Sequence, residues 1–81
     1  MTTFYVLDVP ENTSVPKIAQ RDNDVIVDKV GPYFKISSAD VIVVDRRATD
    51  CRHAVWYSAI AGLENAHITQ HDKNALRVEP R

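Results

Sequence analysis

The stretch that decides the fold begins with VIVV at positions 41–44, continues through DRRATD at 45–50, and ends with CRHAVWYSAIAGLENA at 51–66. Four consecutive β-branched residues predict a strand that is buried on both faces or lies at the centre of a sheet. In the last segment apolar residues recur at helical spacing and, at about 100° per residue, share an arc of about 180°. These residues are Cys51, Val55, Trp56, Ala59, Ile60, Leu63 and Ala66. We therefore predict a strand followed by an amphipathic helix at about residues 50–65, with Thr49 or Asp50 as its cap.

Shorter strand signals lie on both sides of this stretch. Residues 4–9 form an apolar run that ends at a proline, which predicts a central strand. Two further apolar segments, at 25–30 and 33–36, flank a Gly-Pro turn signal at 31–32 and predict a hairpin. Beyond residue 66 apolar residues recur at strand spacing on either side of a polar turn, which predicts a final hairpin.

The order of these elements predicts one α+β domain spanning residues 1–81: a mainly antiparallel sheet of four to six strands with the helix packed on one face. Residues 11–24 are mostly polar and are interpreted as loop. The composition agrees, because 11 valines and six isoleucines outnumber three leucines and β-branched residues favour strands. The strands at 4–9 and 41–44 are apolar at successive positions, and one helix covers only one face. We expect loops, the tail hairpin or a second copy of the chain to cover the other face, and we predict a homodimer.

The composition excludes several classes of protein. One cysteine among 81 residues leaves no internal disulfide and no zinc site built from several cysteines. The first residues lack the basic and apolar regions of a signal peptide, and no apolar run approaches the roughly 20 residues of a membrane span. We expect a cytoplasmic protein with no membrane segment, no metal and no cofactor.

Basic residues gather where the strand at 41–44 gives way to the helix, namely Arg46, Arg47, Arg52 and His53. Residues 1–45 carry four basic and seven acidic side chains, whereas residues 46–81 carry six and four. Arginines beside a helix N-terminus are suited to binding an anion or a phosphate. The turn before the helix has no glycine, however, and Asp50 places a negative charge where the anion would lie. The alternative is a solvated loop in which the arginines pair with Asp45 and Asp50.

Cys51 and two histidines are further candidates for chemistry. Cys51 lies at the predicted start of the helix, where a thiol pKa is lowered, but His53 would point about 200° away on a helix and could not serve as its base. We interpret Cys51 as a small core residue. His67 and His71 are four residues apart, yet no nearby residues complete a set of three or four metal ligands. We interpret them as exposed histidines on a tail strand.

Trp56 lies on the apolar arc of the predicted helix. Its large area makes it an anchor of the helix on the sheet. If the helix instead packs by its neighbours, Trp56 would lie at the rim and, with Tyr57, would be a candidate interface residue.

Size and the absence of an assembled catalytic constellation favour a binding protein over an enzyme. A chain of 81 residues has little room for both a core and a substrate cleft of about 300 Å³ or more. We predict a small non-enzymatic protein that binds another macromolecule as a regulator, an inhibitor (such as those of phage or prophage type) or an accessory subunit, with a protein as its partner. The alternative is a nucleic-acid or phosphate-binding module that uses Arg46, Arg47 and Arg52.

Overall fold

Seven strands and three short helices make up the chain in the computed structural model, which describes residues 1–81. All strand pairs are antiparallel, so the predicted α+β class with antiparallel pairing is confirmed. In chain order the elements are β1 (Thr2–Leu7), a 3₁₀ turn (Pro10–Asn12), α1 (Ser14–Ala19), β2 (Ile26–Val30), β3 (Tyr33–Ser38), β4 (Ile42–Asp45), α2 (Arg46–Thr49), α3 (His53–Ser58), β5 (Ile60–Glu64), β6 (Ala66–His71) and β7 (Ala75–Pro80).

Four of the strands form one sheet in the order β2-β3-β1-β5. The hairpin predicted around Gly31 is confirmed as β2–β3, and Gly31 adopts a φ of 57°. Glycine is suited to this position because a side chain is strained in the left-handed region. The N-terminal strand lies between β3 and β5, which confirms its predicted central place.

The remaining three strands form a second sheet in the order β4-β7-β6. The hairpin predicted in the tail is confirmed as β6–β7, with its turn at residues 72–74. The prediction of a single sheet is therefore wrong. β4, β6 and β7 pair with one another and not with the first four strands. They form a second layer, and both layers contribute to one hydrophobic core.

That core is shared by the two sheets and the helices. The first sheet contributes Phe4, Val6 and Ile36, and the second sheet contributes residues of β4 and β7 such as Val44 and Val78, all fully buried. The helices add Val15, Ala19 and Trp56. Because Ser14–Ala19 forms α1 and packs against β4, the loop predicted at 11–24 is wrong for these residues, whereas residues 20–24 do form a loop. Val15, Ile18 and Ala19 recur at helical spacing, and this short apolar stripe is what the helix buries.

The helix predicted at 50–65 ends early. The structure has α3 only at His53–Ser58, and the following residues form β5, which pairs with β1. The apolar residues of this segment suit either conformation, and Gly62 weakens a helix by about 1 kcal/mol relative to alanine. Pairing with β1 satisfies the backbone of residues 60–64 and so overrides the helical spacing, a long-range effect that the local pattern does not contain.

The strand at 41–44 is also less buried than predicted. β4 is an edge strand that pairs only with β7. Ile42 and Val44 are fully buried, whereas Val43 is 53% exposed. The expectation of burial on both faces is wrong because no layer covers the second face of the small sheet at this position.

Candidate protein-binding surface

One face of the four-stranded sheet lies in the core and the other is open. Phe4, Val6 and Ile36 point inward, and because side chains alternate along a strand, their neighbours point outward. We use the name outer face for the side of the sheet that carries these neighbours. Its apolar side chains are Tyr5, Leu7, Ile26, Val30 and Tyr33, four of which (all but Tyr5) are among the exposed large hydrophobic residues of the chain.

The register of the strands brings four of these side chains together, whereas Ile26 lies opposite Ser37 at the far end of β2, separated from Val30 by Asp28. Leu7 lies opposite Tyr33, and Tyr33 lies opposite Val30 on the next strand. The rings of Tyr5 and Tyr33 make an edge-on contact, with centroids 6.5 Å apart. Opposite Tyr5 on β5 is Gly62, where a Cβ would lie 3.9 Å from the Tyr5 ring. A glycine here leaves the tyrosine ring open to solvent, so that an apolar surface continues across several strands.

Two adjoining depressions form a groove on and beside this outer face. The larger has a volume of about 570 Å³ and extends from Leu7 and Tyr33 to α3 and the 3₁₀ turn. The smaller, of about 350 Å³, lies between β1, β2, β3 and β5. Both are lined by Tyr33 and Ala61, so they are continuous. We call the two together the outer groove; its other lining residues are Tyr5, Val9, Glu11, Asn12, Val30, Val55, Ser58, Ala59 and Gly62.

The charges at the outer groove are mostly acidic. Glu11 lines the larger depression, and Glu64 accepts a hydrogen bond of 3.4 Å from the hydroxyl of Tyr5 beside the smaller one. Neither carboxylate forms an ion pair. The chain has two ion pairs, between Lys29 and Asp8 and between Arg77 and Glu79. An apolar groove with an unpaired carboxylate at each end is therefore the main feature of this surface.

The structure does not hold the four predicted basic residues as one open cluster. The guanidinium of Arg46 donates to the carbonyl oxygens of Lys73 and Cys51, so it links loops within the chain. Arg47, Arg52 and His53 are exposed. The start of α2 is stabilised within the chain. The side chain of Asp45 accepts a hydrogen bond of 3.0 Å from the backbone N–H of Arg47 and so caps this helix. Anion or nucleic-acid binding by these residues stays a prediction.

The two aromatic candidates of α3 have different surroundings. Trp56 is 1% exposed and anchors the helix in the core, whereas Tyr57 is 49% exposed. The Tyr57 ring stacks on His53, with centroids 6.5 Å apart, and lies 5.1 Å from the ring of His71. The structure thus leaves Tyr57, rather than Trp56, accessible to a partner, and its role in an interface stays a prediction.

The turn of the tail hairpin is organised by Asp72. Its carboxylate accepts hydrogen bonds from the backbone N–H groups of Ala75 and Asn74 and from the side chain of Gln70. These bonds favour the charged form and lower the pKa of Asp72 below its ordinary value. The pKa of Glu79 is also lowered, by hydrogen bonds from Thr69 and Arg77. Both groups belong to the β6–β7 hairpin, away from the outer groove.

Cys51 is a free, buried thiol. Its Sγ lies 3.3 Å from the Oγ of Ser14 and 3.9 Å from the carbonyl oxygen of Glu11, so it joins the start of α1 to the segment before α3. His67 and His71 are on β6, and no three histidine, cysteine, aspartate or glutamate side chains are placed so that they could hold a metal ion. None of the helices has the length and apolar character that crossing a bilayer requires.

The residues of the outer face were not among the candidates from the sequence. The signal for them is present in β1, where Tyr5 and Leu7 alternate with the buried Phe4 and Val6 and make the strand apolar on both faces. This pattern indicated an uncovered face, which the structure locates on the four-stranded sheet. It did not indicate which strands would supply Ile26, Val30 and Tyr33.

Comparison with known proteins shows a likeness of fold. No protein-family model matches the chain, and no curated protein matches it. Among solved structures, a chain from the phenol hydroxylase–regulatory protein complex superposes with a TM-score of 0.79 at 8% sequence identity. The alignment covers 99% of this chain and 98% of that chain, so the two are of nearly equal length. At this identity the likeness shows that the fold is shared.

Proposed function

We propose that this chain is a small non-enzymatic regulatory protein that binds an enzyme, of the hydroxylase class, through the outer face of its four-stranded sheet. The observation that carries the proposal is the continuous apolar surface of Tyr5, Leu7, Val30 and Tyr33 on one side of the sheet. Contiguous exposed apolar surface of this kind is typical of protein interfaces.

The likeness of fold supports the choice of partner. The chain that superposes on this one comes from a complex of a regulatory protein with phenol hydroxylase, and it has nearly the same length. The nearly equal length supports a role for this chain as a separate regulatory component that binds an enzyme. The same role agrees with the regulator or accessory subunit expected from the sequence.

Burial of the outer face would provide the binding free energy. Covering one large aliphatic or aromatic side chain contributes about 1.5–3 kcal/mol, so a few such side chains in one patch are enough to dominate an interface. Tyr5 and Tyr33 add rigid aromatic area with a polar tip. Regulation then follows if the enzyme binds the chain more tightly in one conformation than in another, because binding shifts the enzyme toward that conformation.

The proposal is tested by affinity capture from a lysate of the source organism with and without nuclease, followed by a rate measurement on the captured enzyme. We expect capture that resists nuclease, and a turnover of the enzyme that changes when the chain is added. Val30→Lys should abolish both effects. Val43→Lys is the matched control, because Val43 is the same residue type with a similar exposure, 53% against 48% for Val30, but lies on the other sheet. Capture that requires nucleic acid would reject the proposal. An equal loss of capture in both variants would also reject it.

A further inference from the structure

We infer that the outer groove takes a partner segment that is apolar in its middle and carries a lysine or arginine near each end. This inference rests on the proposed function and adds the chemistry of the segment that is bound. It follows from the position of two carboxylates relative to the apolar lining of the outer groove.

The apolar lining of the outer groove favours an apolar middle in the bound segment. The smaller depression is lined by Tyr5, Val30, Tyr33, Ala61 and Gly62 and has no charged residue. The larger depression is mostly apolar as well, with Glu11 as its one charged residue. A charged group placed at the centre of the outer groove would lose water without gaining a partner. Aliphatic or aromatic side chains are therefore the groups that this part of the groove can bind.

The basic ends are dictated by Glu64 and Glu11. Glu64 is paired in register with Thr3, and its carboxylate reaches Tyr5 on the outer face. Glu11 lies beyond Leu7, at the other end of β1, where the larger depression begins. From Thr3 to Leu7 the strand extends about 13 Å, and Glu11 lies beyond it. Both carboxylates lack an ion pair within the chain, so each can accept a cation from a bound segment.

Other charges near the outer groove do not change this pattern. Asp8 is already paired with Lys29. Asp28 and Lys35 lie opposite one another on β2 and β3, where the two opposite charges offset each other. Arg52 shares a third depression with Glu11 but does not line the outer groove. The acidic ends of the groove are therefore the charges that a ligand in the groove meets.

The same two carboxylates argue against a second copy of this chain as the occupant. A symmetric dimer through the outer face would bring two copies of Glu11 and two of Glu64 to one apolar interface, with only the two copies of Lys35 on this face to pair with them. Like charges at an interface are costly. A different protein with basic residues around an apolar segment satisfies the outer groove better.

The test uses two synthetic peptides with the same apolar core, Leu-Ala-Phe-Leu-Ala-Leu, flanked on each side by two lysines or by two glutamates. Binding is measured by changes in the amide signals of the ¹⁵N-labelled chain. We expect the lysine peptide to shift the signals of Val30, Tyr33 and Ala61 and to bind about tenfold more tightly than the glutamate peptide. The preference should weaken at high salt.

Matched variants assign the preference to the two carboxylates. Glu11→Gln with Glu64→Gln should reduce the preference for the lysine peptide to about twofold or less, whereas Asp40→Asn, in an exposed loop away from the groove, should leave it unchanged. Equal affinity for both peptides, no shift at the outer groove, or a dimer of the free chain that buries Val30 and Tyr33 would each overturn the inference. The proposed function fails separately, in the enzyme capture with Val30→Lys, which does not depend on Glu11 or Glu64.

Discussion

The indole nitrogen of Trp56 donates a hydrogen bond of 2.7 Å to the backbone carbonyl oxygen of Asp72. In return, the Nε2 of His71 lies 3.1 Å from the carbonyl oxygen of Trp56, and the two rings meet edge-on with centroids 5.5 Å apart. These contacts join α3 to the turn of the β6–β7 hairpin. Because α3 leads directly into β5 of the other sheet, this junction fixes the two sheets relative to each other.

Replacing Trp56 by phenylalanine tests the junction. The variant keeps an aromatic ring in the core but leaves the Asp72 carbonyl without its indole donor and opens a small cavity. We expect the free energy of unfolding to fall by about 1–3 kcal/mol, measured by urea denaturation. Tyr57→Phe, on the exposed side of the same helix, should change it by less than about 0.5 kcal/mol. An equal effect of the two substitutions would contradict the role of the hydrogen bond.

Local signals predicted the parts of this fold that form between neighbouring segments. Gly31 supplies the left-handed turn of β2–β3, and the polar turn at Asp72 separates the two strands of the tail hairpin, so both hairpins could be read from short stretches of sequence. β5 could not. Whether Ile60–Glu64 continues a helix or pairs with β1 depends on an edge that lies more than 50 residues away in the chain and that the local spacing does not describe.

The candidate surface could be anticipated only in part, for a related reason. Alternation of Tyr5 and Leu7 with Phe4 and Val6 indicates a strand that is apolar on both faces. Which face stays open depends on where the second sheet packs, and that sheet was predicted to be part of the first. Arg46 shows the converse case, because its position in a basic run indicated an anion site, whereas its hydrogen bonds to Lys73 and Cys51 become visible only in the folded chain.

The carboxylate of Asp72 makes the stability of the protein depend on pH. A pKa lowered from 3.8 means that the folded state favours the charged form, so its contribution is complete above the ordinary pKa and is lost as the pH falls through the lowered one. The lowered pKa of Glu79 acts in the same direction. We expect the melting temperature to fall as the pH is lowered below about 4.

Asp72→Asn isolates the contribution of that carboxylate. The variant should melt at a lower temperature than the wild type at neutral pH, and the difference between the two should shrink as the pH falls below about 4. Asp40→Asn, whose side chain makes no hydrogen bond within the chain, should reproduce the wild-type profile. Thermal melts followed by circular dichroism between about pH 2 and pH 7 provide the comparison. A constant difference at every pH would mean that the amide disturbs the turn for reasons unrelated to charge.

Cys51 should be slow to react in the folded protein. Its side chain is 7% exposed and lies between Ser14 and the backbone of Glu11, so the sulfur offers a reagent little access until this part of the chain opens. We expect little alkylation by iodoacetamide in native buffer and rapid alkylation in about 6 M guanidinium chloride, followed by mass spectrometry. Comparable rates under both conditions would show that the thiol is accessible and would reopen the question of its reactivity.

The two glycines of the chain should respond in different ways to alanine. At Gly31 an added Cβ meets no atom within 4 Å, but the φ of 57° is strained for a side chain. We expect Gly31→Ala to lower the free energy of unfolding by about 1 kcal/mol, an effect of the backbone alone. At Gly62 the φ is not in the left-handed region, and an added Cβ would make an ordinary contact of 3.9 Å with the Tyr5 ring. Gly62→Ala should therefore change stability by less than about 0.5 kcal/mol.

The same pair of variants separates stability from binding. Gly62 lines the outer groove beside Tyr5, so a methyl group there narrows the groove, whereas Gly31→Ala leaves the lining unaltered. We expect Gly62→Ala to weaken binding of the captured enzyme while the protein remains stable, and Gly31→Ala to lose stability while it retains binding at a temperature where it is folded. Urea denaturation measures the first quantity and titration of the enzyme measures the second. If binding instead followed stability across the two variants, the groove at Gly62 would not be part of the interface.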